Sequence, residues 1–148
     1  MAKNILGVGI ALLVSAAAAA QTAKAPAATY DPANETSVSG VIRYAISVAA
    51  PDGTVGVHLE LKTVDGPVHV HVGPAVFIGM NNFSFLTDET VAVRGARVTK
   101  SGENAIWARI VVKDGKTLIL RDENGTPRWP RATMEDPDGC GLDHAVVR

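Results

Sequence analysis

His58, Glu60, His69 and His71 are the residues of this chain whose types and spacing could do chemistry. Two imidazoles at i, i+2 on one strand, facing a histidine and a carboxylate on its neighbour, make a donor set suited to Zn(II) or Cu(II). The plainer reading is that these histidines coat a solvated sheet face. Their spacing is set by the alternation VHLELKTVDGPVHVHVG, read from Val57 to Gly73. It predicts a hairpin with Leu59, Leu61, Val68, Val70 and Val72 on one face and His58, Glu60, Lys62, His69 and His71 on the other. A two-residue Asp65-Gly66 turn, or a loop from Val64 to Pro67, places Lys62 opposite His69 and Glu60 opposite His71. On a ladder of that register, opposite Cβ atoms are about 5 Å apart and diagonal ones about 7 Å, so His58, Glu60 and His71 would converge. His69, facing the Lys62 ammonium, would be the weakest member.

Alternation also marks the elements around this hairpin. Val38, Ile42, Tyr44, Ile46 and Val48 alternate with Ser37, Ser39, Arg43 and Ser47, which predicts a half-buried first strand starting near Ser37 with Gly40 as a bulge. After the hairpin, Gly73-Pro74-Ala75-Val76-Phe77-Ile78-Gly79-Met80 predicts a short helix ending near Asn81, with Phe77, Met80 and one of Phe83 or Phe85 turned to the core. Thr90 to Val98 is read as a strand with Val91 and Val93 inward. Ala105 to Lys113 is read as another, with Ile106, Ala108, Ile110 and Val112 inward and Trp107 and Arg109 outward. A last hairpin should turn at Asp122-Glu123-Asn124-Gly125 and return through Pro127 and Trp129.

The ends read differently. Lys3, the apolar run Ile5 to Val14 and the alanines before Gln21 form a secretory signal over residues 1–20, with cleavage after Ala20. The run is too short for a comfortable membrane span, so no span is expected in the mature chain and the expected address is periplasmic or secreted. Residues 21–36 form an Ala/Pro-rich leader, residues 37–130 one domain, and residues 131–148 a tail without periodicity. Cys140, the sole cysteine, cannot form an internal disulfide. Net charge is close to zero, but Arg94, Arg97, Lys100, Arg109, Lys113, Lys116 and Arg121 make a basic stripe. Such a stripe serves solubility more often than ligand recognition.

Three strands, a short helix, two strands and an appended hairpin are the order of an OB-like five-stranded Greek-key barrel, an all-β fold with one short helix and a C-terminal β-hairpin. The ligand surface of that fold lies on strands 2 and 3, where the histidines fall. An immunoglobulin-like sandwich has no place for the helix. YDPANETSVSGVI, VHLELKT, VHVHVGPAVFI, DETVAVRGARV and LILRDENGTPRWPR, which run from Tyr30 to about Arg131, resemble a largely uncharacterised family of small periplasmic bacterial OB-like proteins. The resemblance implies the barrel, and a binding module more than a catalyst; it carries over no site residue.

The expected function is that of an exported, non-catalytic binding module acting through the outward face of strands 2 and 3. A transition metal, zinc or copper, would be held by His58, Glu60, His71 and His69. A small anionic ligand or glycan would meet Arg94, Lys100, Trp107 and Arg109. Nucleic acid is disfavoured because strands 2 and 3 carry no outward aromatic residue on which a base could stack, Trp107 beside Arg109 offering the one platform. No nucleophile elbow or phosphate-binding loop is present, so the chain is not read as an enzyme. A structural role, docking to another envelope protein, is the reading from a different class.

Overall fold

In the computed structural model, residues 29–49, 53–100 and 103–130 are described. The residues read as a signal and leader before Thr29, together with Ser101-Gly102, Cys140 and the rest of the C-terminal segment, lie outside them. The first strand, β1 (Glu35–Ala49), is long enough to serve two neighbours. Its first half pairs antiparallel with β4 (Thr90–Lys100) and its second half with β2 (Val55–Thr63). Next, β3 (Gly66–Pro74) returns along β2, and β5 (Glu103–Lys113) returns along β4. A short parallel contact sets His69, Val70 and His71 against Ala105, Ile106 and Trp107. That contact closes the order β3-β2-β1-β4-β5 into the expected OB-like barrel. A short helix, α1 (Ala75–Met80), lies between β3 and β4, and β6 (Lys116–Ile119) bonds to the far half of β5 outside the barrel.

The apolar face of the hairpin fills the barrel as its alternation requires. Leu59, Leu61, Val70 and Val72 join Ile42, Val91, Val93, Ile106, Ala108, Val111, Leu118 and Leu120 in one buried cluster. Each such side chain contributes roughly 1.5 to 3 kcal/mol on burial. Among the described residues, a 3₁₀ turn at Pro32–Asn34, capped by the Asp31 carboxylate, precedes the strand expected to start near Ser37.

Three register shifts interrupt the ladders: one falls at Val72 of β3, where His58 faces His71 and Val57 faces Gly73, and the other two invert the alternation read from the sequence. Between β1 and β2 the extra residue is Arg43, not Gly40: Ile42 faces Leu61, and Tyr44 faces Glu60. Beyond it Ala45 packs on the core, Ile46 is exposed and Tyr44 turns outward. Gly40 answers a close approach instead, since a Cβ there would stand 2.6 Å from the Lys62 carbonyl oxygen. Between β4 and β5 the extra residue is Arg109, with Arg94 facing Ile110 and Gly95 facing Ala108. The inward position therefore passes from Ala108 to Val111, and Val112, expected inside, is 38% exposed.

The hairpin turn also differs from the expected one. Val64 and Asp65 form it, Gly66 supplies the positive φ (114°), and Thr63 Oγ1 donates to the Gly66 carbonyl. A turn followed by a positive-φ glycine draws the strands two residues closer to the turn than an Asp-Gly turn would. Faces are preserved by the even shift, but partners change. Glu60 faces His69, His58 faces His71, and Lys62 faces Pro67. In α1 the core contacts are Ile78 and Phe77, and Met80 is 78% exposed. Two residues past Ile78 lie about 200° around the helix.

Candidate functional site

On the outer surface of β2 and β3, Glu60 is only 7% exposed although it lies outside the barrel core. Its burial follows from the β1 bulge, which aims two consecutive residues at it. Arg43 Nη1 meets Oε1 at 2.7 Å, and the Tyr44 hydroxyl donates to Oε2 at 2.6 Å. From the other side His69 Nε2 stands 3.5 Å from Oε2. A carboxylate removed from water needs such partners, because an unpaired buried charge is strongly unfavourable. The result is a cation held in place at the surface, with the Arg43 side chain 58% exposed. Beside it, the His58 and His71 rings stack at 4.2 Å between centroids with planes tilted by 39°.

This geometry separates the expected metal donors. The corrected register gives Glu60 to His69, and Arg43 and Tyr44 take up its oxygens. His58 and His71 face each other ring to ring. Among the described residues no group of three or more His, Cys, Asp or Glu side chains is placed to hold a metal ion.

The residues read as an anion site sit elsewhere and are engaged. Arg109 Nε donates to Glu35 Oε1 at 2.5 Å and its Nη2 to Oε2 at 3.2 Å. Arg94 Nε donates to Oε2 at 2.9 Å, and the Tyr30 hydroxyl to Oε1 at 2.7 Å. The Arg109 hydrogen bonds, with those of Tyr30 and Arg94, hold the Glu35 carboxyl down at about 2. Burial, together with the same carboxylate, pushes the Tyr30 phenol above its ordinary range. Lys100 ends β4 opposite Glu103, and its side chain lies outside what is described.

Trp107 does leave its strand on the outer side, yet it is 2% exposed, packed with Val98, Ala105 and Tyr30. The arginine stacked on it is Arg121, not Arg109. The Arg121 guanidinium lies 5.6 Å from the Trp107 ring, 5.5 Å from Tyr30 and 5.1 Å from Trp129. Trp107, Trp129 and Arg121 are all buried. Another member of the basic stripe, Lys113, donates to Glu89 at 2.8 Å. Sequence reading missed Arg43 and Tyr44, because only the bulge brings both to the histidine face.

A barrel of this order, with its polar cluster on β2 and β3, can be compared with known families. The model of the MamS/MamX magnetosome protein family matches residues 34–118. The chain belongs to that family. The match takes in the barrel strands and α1, and with them every residue of the Glu60 cluster. A comparison with curated proteins found no match. Among the described residues no helix is long and apolar enough to cross a membrane.

Proposed function

We propose that this magnetosome-family barrel is an exported, non-catalytic binding module, and that the outer face of β2 and β3 receives a small anion carrying carboxylate or phosphate groups. The observation that carries this reading is the buried Glu60, which fixes Arg43 while leaving most of that guanidinium side chain exposed. An arginine already held in one orientation loses less freedom on binding, and its planar fork matches carboxylate and phosphate oxygens. Lys62 is exposed on the same face. Export is supported by the signal-like first twenty residues.

The 4.2 Å approach of His58 and His71 favours the metal reading as the second choice. Calorimetric titration of the exported chain with inorganic phosphate and citrate, beside Zn(II) and Cu(II), separates the two. Anion binding at low salt that Arg43→Gln reduces at least tenfold supports the first reading. Anion binding indifferent to Arg43→Gln, or none, sinks it. Metal binding abolished by both His58→Ala and His71→Ala would install the second.

A further inference from the structure

The chain around α1 is free of charge. Among the described residues, 45–49, 53–57 and 73–87 contain no Asp, Glu, Lys or Arg. The three stretches meet at an open cleft of about 250 Å³, whose lining includes Ala45, Ile46, Val57, Ile78, Gly79 and Phe83. Lys113, which lies over the Phe83 and Phe85 rings, is paired with Glu89 and brings no net charge to it. The cleft is smaller than the roughly 300 to 1,000 Å³ of small-molecule sites, and suits one or two apolar side chains instead. Such side chains stand beside it. Ile46, Val76, Met80 and Leu86 are exposed large apolar residues, and Met80 is the most exposed of the four. On α1, Val76 and Met80 directly follow Ala75 and Gly79, about 100° further round the helix. The small pair therefore faces the cleft while the large pair projects into solvent.

We propose that a second copy of this chain covers this face, the Met80 side chain of each protomer entering the cleft of the other about a two-fold axis. An isologous contact needs one surface that carries both the projection and the recess. Here they are adjacent residues of one helix. The same symmetry sets residues near the axis against their own copies, where a charge would meet its like, and this face carries none. Methionine and phenylalanine with charge excluded is the composition of an interface centre, and the unbranched methionine side chain adapts to an irregular recess. An added Cβ at Gly79 would meet nothing within 4 Å, so the two α1 helices have room to approach closely there. The accessible part of the uncharged stretches amounts to about twenty residues, the lower end of what a stable interface engages on each side.

Sedimentation equilibrium of the exported chain, from about 10 µM to about 1 mM, is expected to show a monomer–dimer equilibrium. Met80→Asp places a charge in the contact without disturbing the protomer, because Met80 is exposed, and should weaken the dimer at least tenfold. Gly79→Leu fills the recess from within and should do the same. Ile119→Asp, an equally apolar exposed position on β6, should leave the dimer unchanged. On dilution, the amides of Ser47, Gly79 and Met80 should shift while that of Ile119 does not. A monomer at every concentration overturns the proposal, whether or not those amides respond to added phosphatidylcholine vesicles, the other apolar occupant. A dimer that survives either Met80→Asp or Gly79→Leu, or that Ile119→Asp breaks, overturns it as well.

Discussion

Tyr44 stands opposite Glu60 in the β1–β2 ladder, and its hydroxyl donates to Glu60 Oε2 at 2.6 Å. The pairing exists because Arg43 is an extra residue in β1, which turns Tyr44 from the core side to the outer side. Tyr44→Phe removes one hydrogen bond to a charged acceptor and leaves the ring in place. The expected loss is about 1.5 to 3 kcal/mol, read by urea denaturation. Glu60→Gln should cost at least as much, and should also release Arg43. Binding of anions at this face would then weaken, so stability and affinity fall together in Glu60→Gln. An unchanged urea midpoint in both variants would remove Glu60 as the organiser of the face.

The Glu35 cluster sets an acid limit on the fold. Its carboxyl is lowered from an ordinary 4.5 to about 2, first by the hydrogen bonds from Arg109. A folded-state value below the unfolded one means that the unfolded chain binds the proton more readily. Stability from this group is therefore present above about pH 4.5 and is lost as pH falls toward 2. Glu35→Gln leaves Arg109, whose side chain is 11% exposed, without its counter-charge and should cost about 3 kcal/mol at neutral pH. It should also flatten the decline below pH 4.5. Thermal unfolding at stepped pH for both proteins checks the two effects, and parallel pH curves would show that other carboxylates set the limit.

Much of the barrel was legible because its signals are periodic. Leu59, Leu61, Val70 and Val72 fell inside as alternation demanded, and the short helix expected after Gly73 forms, with Pro74 as its extended N-cap rather than its first residue. What alternation could not reveal was where it breaks. A bulge is one residue long, and neither Arg43 nor Arg109 differs in type from a regular outward residue. Each break moved a site. The first assembled the Glu60 cluster from residues that looked inward or solvated, and the second set Arg109 on Glu35. The hairpin register failed for a related reason, since Gly66 serves as well after a turn as within one.

Gly95 and Gly79 should respond to alanine in opposite directions. At Gly95, which lies in β4 opposite the bulge in β5, an added Cβ would collide with the Trp107 carbonyl group, and backbone cannot swing aside. Gly95→Ala should cost more than about 4 kcal/mol or prevent folding. At Gly79, within α1, an added Cβ meets nothing within 4 Å. There alanine gains helix propensity and reduces the freedom of the unfolded chain, so stability should rise by about 0.5 to 1 kcal/mol. Thermal melts of the two variants decide this, and a tolerated Gly95→Ala would mean that β4 can shift relative to β5.

Arg121 is, with Glu60, one of the two charged residues buried among those described, and its removal should be felt. At 2% exposure it places its guanidinium among Tyr30, Trp107 and Trp129, and its Nη1 donates to the Gly125 carbonyl at 3.1 Å. These contacts tie the residues before β1 to β5 and to the closing turn. Lysine keeps the charge but offers no plane to lie against the rings, and its compact ammonium is more costly to strip of water. Arg121→Lys should therefore lose about 2 to 3 kcal/mol, more than an exposed arginine such as Arg97 would. Because both tryptophans are buried at this stack, their emission is the natural readout. A red shift in native buffer for Arg121→Lys, absent in Arg97→Lys, would show water entering where the guanidinium had excluded it. Equal stability and unshifted emission would mean that the rings close over a lysine as readily as over an arginine.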